Sequence, residues 1–212
     1  MRVLQARWIG YLDQQHRYPA GLVGRIIGEQ MLRQHAPETE WTVGLLQLQP
    51  ADRVLEIGFG AGRGLMLALE KVRQGRVTGV DLSPTMLRAA ARRNRAAVER
   101  GQLLLLRGSL AALPFTGRHF DKLFSIHTFY FWPDPGAVCR RLVGLLAAGG
   151  RLISTFASAR RLPSGEWNFW DVHRRAEQLV EELNRHPNVA ASFLYGPDSR
   201  QYNNVAIVID RV

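Results

Sequence analysis

The sequence predicts an α/β fold: a Rossmann-like, seven-stranded, mostly parallel sheet with an antiparallel terminal strand, helices on both faces and an N-terminal helical cap. From residue 52 onward, short β-branched or leucine-rich runs alternate with helical stretches, and repeated βα units build a parallel sheet that is covered on both faces. The last two runs are joined by a turn-rich segment too short for a crossover helix, so we expect them to pair antiparallel. A glycine-rich turn follows the first strand, at the edge where open α/β sheets bind their ligands.

The elements follow from these runs and from the residues that bound them. We predict strands at Arg53–Phe59, Arg76–Leu82, Leu103–Arg107, Phe120–Ile126, Arg151–Phe156, Val189–Tyr195 and Val205–Ile209. We predict helices at Gly62–Arg73, Pro84–Arg100, Asp134–Leu146 and Phe169–Arg185. Ser83 is a good N-cap for the helix that begins at Pro84, and Gly149-Gly150 is expected to end the third helix.

Two domains are expected: a cap or lid of two or three helices in residues 1–50, and the sheet domain in residues 51–212. In the cap, five apolar residues share one face at helical spacing: Leu22, Val23, Ile26, Ile27 and Met31. This face fits packing on the sheet domain, a mobile lid, or a surface that touches lipid. A lid would bring Tyr18 or His16 to a bound ligand.

Composition and charge limit the class of protein. The chain has 212 residues, of which 46% are hydrophobic and 22% charged, which is typical of a globular protein. No apolar stretch reaches the roughly 18 residues of a membrane span, and no secretory signal is recognisable, so we expect a cytoplasmic protein. Cys139 is the only cysteine, which excludes an internal disulfide and a cysteine-based metal cluster. The net charge of +10 reflects a general arginine bias or an anionic partner, so contact with nucleic acid or an anionic membrane stays open.

The most informative motif is the segment Val54-Leu-Glu-Ile-Gly-Phe-Gly-Ala-Gly62. Its glycines let the backbone turn sharply and approach a ligand, and the N–H groups of the following helix suit an anionic group. The dinucleotide-binding fingerprint needs a glycine at position 63, where Arg63 stands. The spacing therefore disfavours a nicotinamide or flavin dinucleotide.

With Glu56 two residues before Gly58, the segment resembles motif I of the class I S-adenosylmethionine-dependent methyltransferases. Asp81 ends the second predicted strand, and Gly108–Phe115 followed by Phe120-Asp121 is similar to a further segment of that family. The resemblance covers roughly residues 45–158. It is strongest to the small single-domain group related to ubiquinone- and menaquinone-biosynthesis methyltransferases, although Ser109 stands where that group often has an acidic residue.

The resemblance implies a methyltransferase whose cofactor is S-adenosyl-L-methionine and whose residues 51–212 form the cofactor-binding catalytic domain. It implies that Glu56 and the loop backbone hold the methionine end of the cofactor, that Asp81 binds the ribose, and that Leu82 flanks the adenine. The full set of implied cofactor contacts is Glu56, Gly58, Phe59, Gly60, Gly62, Asp81, Leu82, Ser109 and Leu110, together with Tyr18 from the cap.

The segment Ser125–Trp132, after the fourth strand, is expected to border the transferred methyl group. His127 is a candidate base or orienting group, and a hydrogen-bonded structural histidine is an equal alternative. Tyr130 is the second catalytic candidate, and the substrate candidates are His16, Phe129, Trp132 and Arg160. No metal ligand set is recognisable.

We therefore expect transfer of a methyl group to a small, partly apolar molecule by in-line displacement. Two other functions remain open: methylation of RNA or a phospholipid head group, which the charge of +10 motivates, and a non-catalytic cofactor-binding regulator.

Overall fold

A computed structural model describes residues 18–110, 115, 117, 119–198 and 201–212. The helices are α1 (Gly21–Gln34), α2 (Ala36–Leu45), α3 (Arg63–Lys71), α4 (Pro84–Arg93), α5 (Arg95–Glu99), α6 (Pro135–Leu145) and α7 (Asp171–Leu183), with a 3-10 turn at Phe129–Phe131. The strands are β1 (Arg53–Ile57), β2 (Arg76–Asp81), β3 (Leu103–Arg107), β4 (Phe120–Ile126), β5 (Leu146–Arg161), β6 (Trp167–Phe169), β7 (Val189–Tyr195) and β8 (Tyr202–Arg211).

The strands form one sheet in the order β3-β2-β1-β4-β5-β8-β7, with β6 added beside β5. Strands β1 to β5 pair in parallel, and β8 pairs antiparallel with both β5 and β7. This confirms the predicted Rossmann-like α/β class and the antiparallel pairing of the last two strands.

The predicted count of seven strands is wrong, because the sheet has eight. The additional strand β6 pairs antiparallel with Ala159–Arg161 at the end of β5. Its sequence Trp-Asn-Phe is aromatic-rich, as strands favour, and it ends two residues before the first residue of α7, Asp171. The predicted helix Phe169–Arg185 therefore begins later than expected.

Other boundaries also differ from the prediction, and two of these differences have a local cause. The helix expected at Pro84–Arg100 is divided into α4 and α5 at Asn94, whose side-chain amide donates to the carbonyl oxygens of Gly62 and Ala90. Gly149-Gly150 lies within β5 and not after a helix. A Cβ atom on Gly150 would lie 3.0 Å from the carbonyl oxygen of Asp121, so the close approach of β5 to its neighbour requires glycine.

The hydrophobic core lies on both faces of the sheet. Successive residues of β4 and β5 point to opposite faces: Leu123 and Leu152 pack with α6 and α7 residues such as Leu142 and Leu179. Phe124 and Ile153 pack on the other face, in the layer of α2, α3 and α4.

The described part of the cap lies against the sheet domain. The backbone N–H of Gly21 donates to Thr85 Oγ1 on α4 over 3.2 Å, and Thr42 Oγ1 on α2 donates to Thr155 Oγ1 on β5 over 2.7 Å. Helix α1 and the start of α2 thereby lie at the carboxyl ends of the strands, and the rest of α2 packs on one face of the sheet. Among the helices of the described residues, none combines the length and apolarity that a membrane crossing needs.

Candidate functional site

A cavity of about 590 Å³ opens at the carboxyl ends of β1, β2 and β4, beneath helices α1 and α2. One wall is the turn between β1 and α3, with the ends of β2 and β3. The opposite wall consists of the segment after β4 and the start of α6. The cap closes it with Pro19, Gly28, Met31, Leu32, His35 and Thr39.

The turn after β1 requires glycine for conformational and steric reasons. Gly58, Gly60 and Gly62 have φ angles of +71°, +51° and +86°, a region that residues with a Cβ atom rarely adopt. A Cβ atom on Gly58 would lie 2.4 Å from Thr128 Cγ2, and one on Gly62 would lie 2.8 Å from Ala90 Cβ. The backbone itself therefore forms this wall of the cavity.

Glu56 lies at the base of the turn and is almost completely buried. Burial and the neighbouring Asp81 carboxylate raise the pKa of Glu56 well above its ordinary value. A hydrogen bond from the backbone N–H of Leu65 lowers this pKa but does not outweigh them. Its Oε2 atom is buried without a hydrogen-bond partner among the described residues. Because an unpaired buried carboxylate is costly, Glu56 fits a ligand that brings a cationic group to this end of the cavity.

Asp81 ends β2 and holds the glycine turn in place. Its Oδ2 atom accepts from the backbone N–H of Gly60 over 2.9 Å, and its Oδ1 atom accepts from that of Ser83 over 2.8 Å. Burial raises the pKa of Asp81 in spite of these bonds. The site thus has two carboxylates and a glycine turn, an arrangement that fits the methionine and ribose parts of S-adenosylmethionine.

Nearly all the cofactor residues predicted from the sequence meet in this one cavity. Its lining includes Glu56, Gly58, Phe59, Gly60, Gly62, Asp81, Leu82, Ser109 and Leu110. Tyr18 is an exception, since its neighbour Pro19 lines the cavity and Tyr18 does not. His16 lies outside the described residues.

The segment after β4 differs from the prediction in which aromatic side chains face the cavity. His127 and Trp132 line it, as expected, and so does Phe131, which is 40% exposed. Phe129 does not, because it is buried in the core and stacks on Phe156 at 4.4 Å between ring centroids. The 3-10 turn Phe129–Phe131 rotates successive side chains by a third of a turn and directs Phe129 into the core.

Tyr130 is also directed away from the cavity lining. Its hydroxyl donates to the carbonyl oxygen of Ala157 over 3.0 Å and accepts from the N–H of the same residue over 2.7 Å. Burial raises the pKa of Tyr130, which disfavours the phenolate. The contacts therefore favour a structural role, with the segment tied to β5, over the catalytic role predicted for Tyr130.

Arg160 lies near the end of β5, is exposed, and bonds to Gln201 Oε1 over 3.2 Å. It is not part of the cavity lining, so the structure does not bring this predicted substrate residue to the site. The strand β5 extends beyond its predicted end and carries Arg160 past the cavity.

Sequence reasoning missed His35 and Glu38. Glu38 is buried, and its Oε1 atom lies 2.6 Å from His35 Nδ1 and 3.2 Å from His127 Nε2. Burial favours a higher pKa for Glu38, but the hydrogen bonds with His127 and His35 outweigh it and hold the pKa well below its ordinary value. The i, i+3 spacing of His35 and Glu38 at a helix start was the available signal, and their meeting with His127 depends on tertiary packing.

Comparisons with known proteins agree with this geometry. Residues 55–154 match a family described as a methyltransferase domain. The chain is 28% identical over 130 residues to the uncharacterized methyltransferase YdaC of Bacillus subtilis, covering 61% of this chain and 70% of that protein. It is 28% identical over 153 residues to the demethylmenaquinone methyltransferase of Shouchella clausii, covering 72% of this chain and 65% of that one. A crystal structure of a SAM-dependent methyltransferase from Aquifex aeolicus has the same fold, with a TM-score of 0.68 at 14% identity, covering 89% of this chain and 98% of that chain.

Proposed function

The chain carries a class I S-adenosylmethionine-dependent methyltransferase domain, and we propose that it transfers the methyl group to a small, partly apolar molecule by in-line displacement. The observation that carries this proposal is the division of one cavity into two unlike parts. The charged glycine turn forms one part, and an apolar wall forms the other. Cavities of a few hundred Å³ with apolar walls and few polar groups are typical of small-molecule sites.

The first part of the cavity supplies the cofactor contacts. Glu56 would pair with the cationic methionine end, the glycine turn would let that end approach the backbone, and Asp81 would bind the ribose hydroxyls. Leu82 and Leu110, which line the cavity beyond Asp81, would enclose the adenine, with Ser109 at its polar edge. When bound, S-adenosylmethionine supplies a methyl carbon attached to a sulfonium, which is open to attack by a nucleophile.

The second part of the cavity has the composition expected of an acceptor site. Its apolar lining residues, from the cap and from the last residue of β4 onward, are Met31, Leu32, Ile126, Phe131, Trp132 and Val138. The half-exposed ring of Phe131 presents apolar surface to the cavity. Such walls position an apolar acceptor and exclude water, which are the main contributions that a protein makes to an in-line displacement.

The comparisons support an acceptor of this kind. The relative from Shouchella clausii is named for a demethylmenaquinone substrate, and its name is consistent with a partly apolar molecule in this cavity.

The proposal is tested with purified protein, S-adenosylmethionine labelled in its methyl group, and a panel of 4-alkylphenols, alkylamines and fatty acids. We expect label in at least one small acceptor and its loss in Phe131→Asp, which places a charge on the apolar wall and leaves the glycine turn intact. Arg160→Ala, at an exposed residue outside the cavity lining, is the matched control and should keep the activity. Label that enters only RNA or anionic phospholipid vesicles would contradict the proposal and favour the macromolecular alternative.

A further inference from the structure

The carboxylate of Glu38 determines where the protons lie on the two histidines beside it. The depressed pKa of Glu38 keeps the carboxylate ionised, and an ionised carboxylate only accepts hydrogen bonds. Both ring nitrogens that face Oε1 must therefore donate: Nδ1 of His35 over 2.6 Å and Nε2 of His127 over 3.2 Å.

His127 has protein partners at both ring nitrogens. Nε2 donates to Glu38, and Nδ1 lies 3.3 Å from the Tyr130 hydroxyl. That hydroxyl is itself held by the backbone of Ala157 through two further bonds. His127 also has a left-handed backbone, with φ at +55°, which fixes its ring against the cap. These contacts describe a histidine that orients its neighbours, since both ring nitrogens face protein groups.

His35 has the opposite arrangement. Its Nδ1–H is fixed by Glu38, so the neutral ring carries its lone pair on Nε2. The ring lines the cavity, its side chain is 24% exposed, and no hydrogen bond joins its Nε2 to another of the described residues. A carboxylate that holds one imidazole nitrogen fixes the tautomer and makes the other nitrogen a base.

The position of His35 suits a proton acceptor for methyl transfer. Its ring centroid lies 4.1 Å from that of His127, which follows the end of β4. Strand β4 pairs with β1, placing Ser125 beside Ile57, and Thr128 packs against Gly58. His35 therefore lies in the cavity lining beside His127, whose neighbour Thr128 contacts the turn that would hold the methionine end of the cofactor.

We propose that His35, oriented by Glu38, is the general base of this site and that the natural acceptor is a hydroxyl group. This inference rests on the proposed function and adds the residue and the acceptor atom. The acceptor O–H gives its proton to His35 Nε2 while the oxygen forms a bond to the methyl carbon. The C–S bond breaks with its electron pair left on sulfur, and S-adenosylhomocysteine leaves. The positive charge gained by His35 is then balanced by Glu38.

Two acceptors separate this role from a structural one. A 4-alkylphenol keeps its proton near neutral pH, whereas the matching 4-alkyl arenethiol is largely ionised at about pH 8 and needs no base. We expect His35→Gln to lower kcat for the phenol about 10²–10⁴-fold and to change the thiol rate and the Kd for S-adenosylhomocysteine by less than about 3-fold. His186→Gln, at an exposed histidine after α7, is the matched control.

The same variants distinguish the two histidines. His127→Asn keeps a residue that tolerates the left-handed backbone, and its effect on the phenol rate should be the smaller one. Equal losses with phenol and thiol in His35→Gln would contradict the base. So would a larger loss in His127→Asn than in His35→Gln.

If wild-type protein methylates neither probe, that result counts against the proposed function. A measurement on the protein alone then still tests whether Glu38 orients His35 as a base. ¹⁵N NMR of histidine-labelled protein should show His35 protonated at Nδ1 and not at Nε2, and Glu38→Gln should abolish this preference. A His35 ring protonated at Nε2 in the neutral form would overturn the proposal. Binding of Zn²⁺ that shifts the His35 and His127 signals together at micromolar concentration would also overturn it, because the three side chains would then be metal ligands.

Discussion

Two buried glutamates at the same cavity have opposite electrostatic environments. Glu38, from the cap, is bonded to two imidazoles, and its pKa lies well below the ordinary value. Glu56, from β1, faces the carboxylate of Asp81, and its pKa lies well above the ordinary value. Both are almost fully removed from solvent, so burial does not explain the difference.

The difference lies in whether the chain supplies the partner. Glu38 receives its donors from His35 and His127 and is stable as an anion within the protein alone. Glu56 has one backbone donor. The Oε2 atom of each glutamate is buried without a hydrogen-bond partner among the described residues. The distinction is therefore one of neighbouring charge: the imidazole donors stabilise the Glu38 anion, whereas Glu56 lies near a second carboxylate and fits a ligand that brings a positive charge.

The largest effect is expected for Glu56→Gln on cofactor affinity. The substitution keeps the shape of the side chain and removes the charge that would pair with the cationic end of the cofactor. Loss of a desolvated charge–charge contact costs about 3 kcal/mol, so the Kd for S-adenosylhomocysteine should rise roughly 100-fold. Isothermal titration calorimetry measures it, and an unchanged Kd would show that Glu56 has no ionic contact with the ligand.

A smaller effect of a different kind is expected for Glu38→Gln. The free energy of unfolding at neutral pH should fall by about 2 kcal/mol, because two charge-assisted hydrogen bonds are weakened. Glu40→Gln, on the same helix, is the matched control: Glu40 is 59% exposed and pairs with Arg63 over 2.5 Å, so its loss should cost under about 1 kcal/mol. Chemical denaturation compares the two, and equal losses would remove the distinction between them.

In the cofactor-free protein, Glu56→Gln should raise the free energy of unfolding, whereas Glu38→Gln should lower it. Because the folded-state pKa of Glu56 is raised, folding becomes more costly as the pH rises above the unfolded pKa of about 4.3. Removing the carboxylate should therefore stabilise the protein by about 1 kcal/mol at neutral pH and have no effect near pH 4. Denaturation at both pH values tests the sign, and destabilisation at neutral pH would contradict it.

The smallest expected effect is the pH dependence of the Glu38 contribution to the free energy of unfolding, and its sign is opposite to that of Glu56. Its folded-state pKa is lowered, so its stabilisation is complete above about pH 4.3 and is lost as the pH falls below that value. The gap in stability between wild type and Glu38→Gln should narrow by about 1 kcal/mol between pH 5 and pH 3.5. A gap that stays constant through this range would mean that Glu38 is not the titrating group.

The two glutamates also show how far the sequence predicts a site. Glu56 precedes a glycine motif on the same strand, so its environment is largely local and the sequence predicts its place at the cavity. Glu38 acquires its role when the cap packs over β4, a contact that no local pattern encodes. The same holds for Phe129, which was expected at the cavity: a single 3-10 turn directs it into the core and leaves Phe131 in the cavity lining.

The strands also divide into those that local sequence predicts and those that depend on tertiary contacts. Strands β3, β4 and β7 have their predicted bounds, because apolar runs bounded by turn residues are local signals. The three-residue strand β6 was missed since it exists through pairing with the end of β5.

The central claim is that Glu56 pairs with the cationic end of the cofactor, and proton release on binding tests it most directly. If the raised pKa keeps Glu56 protonated in the free protein, a bound cation should restore the anion and expel that proton. Titrations of S-adenosylhomocysteine at pH 7 in phosphate and in Tris, whose ionisation enthalpies differ, should give different binding enthalpies in wild type. The difference should be absent in Glu56→Gln and unchanged in Glu40→Gln. Equal enthalpies in both buffers for wild type, or an equal difference in Glu56→Gln, would contradict the account.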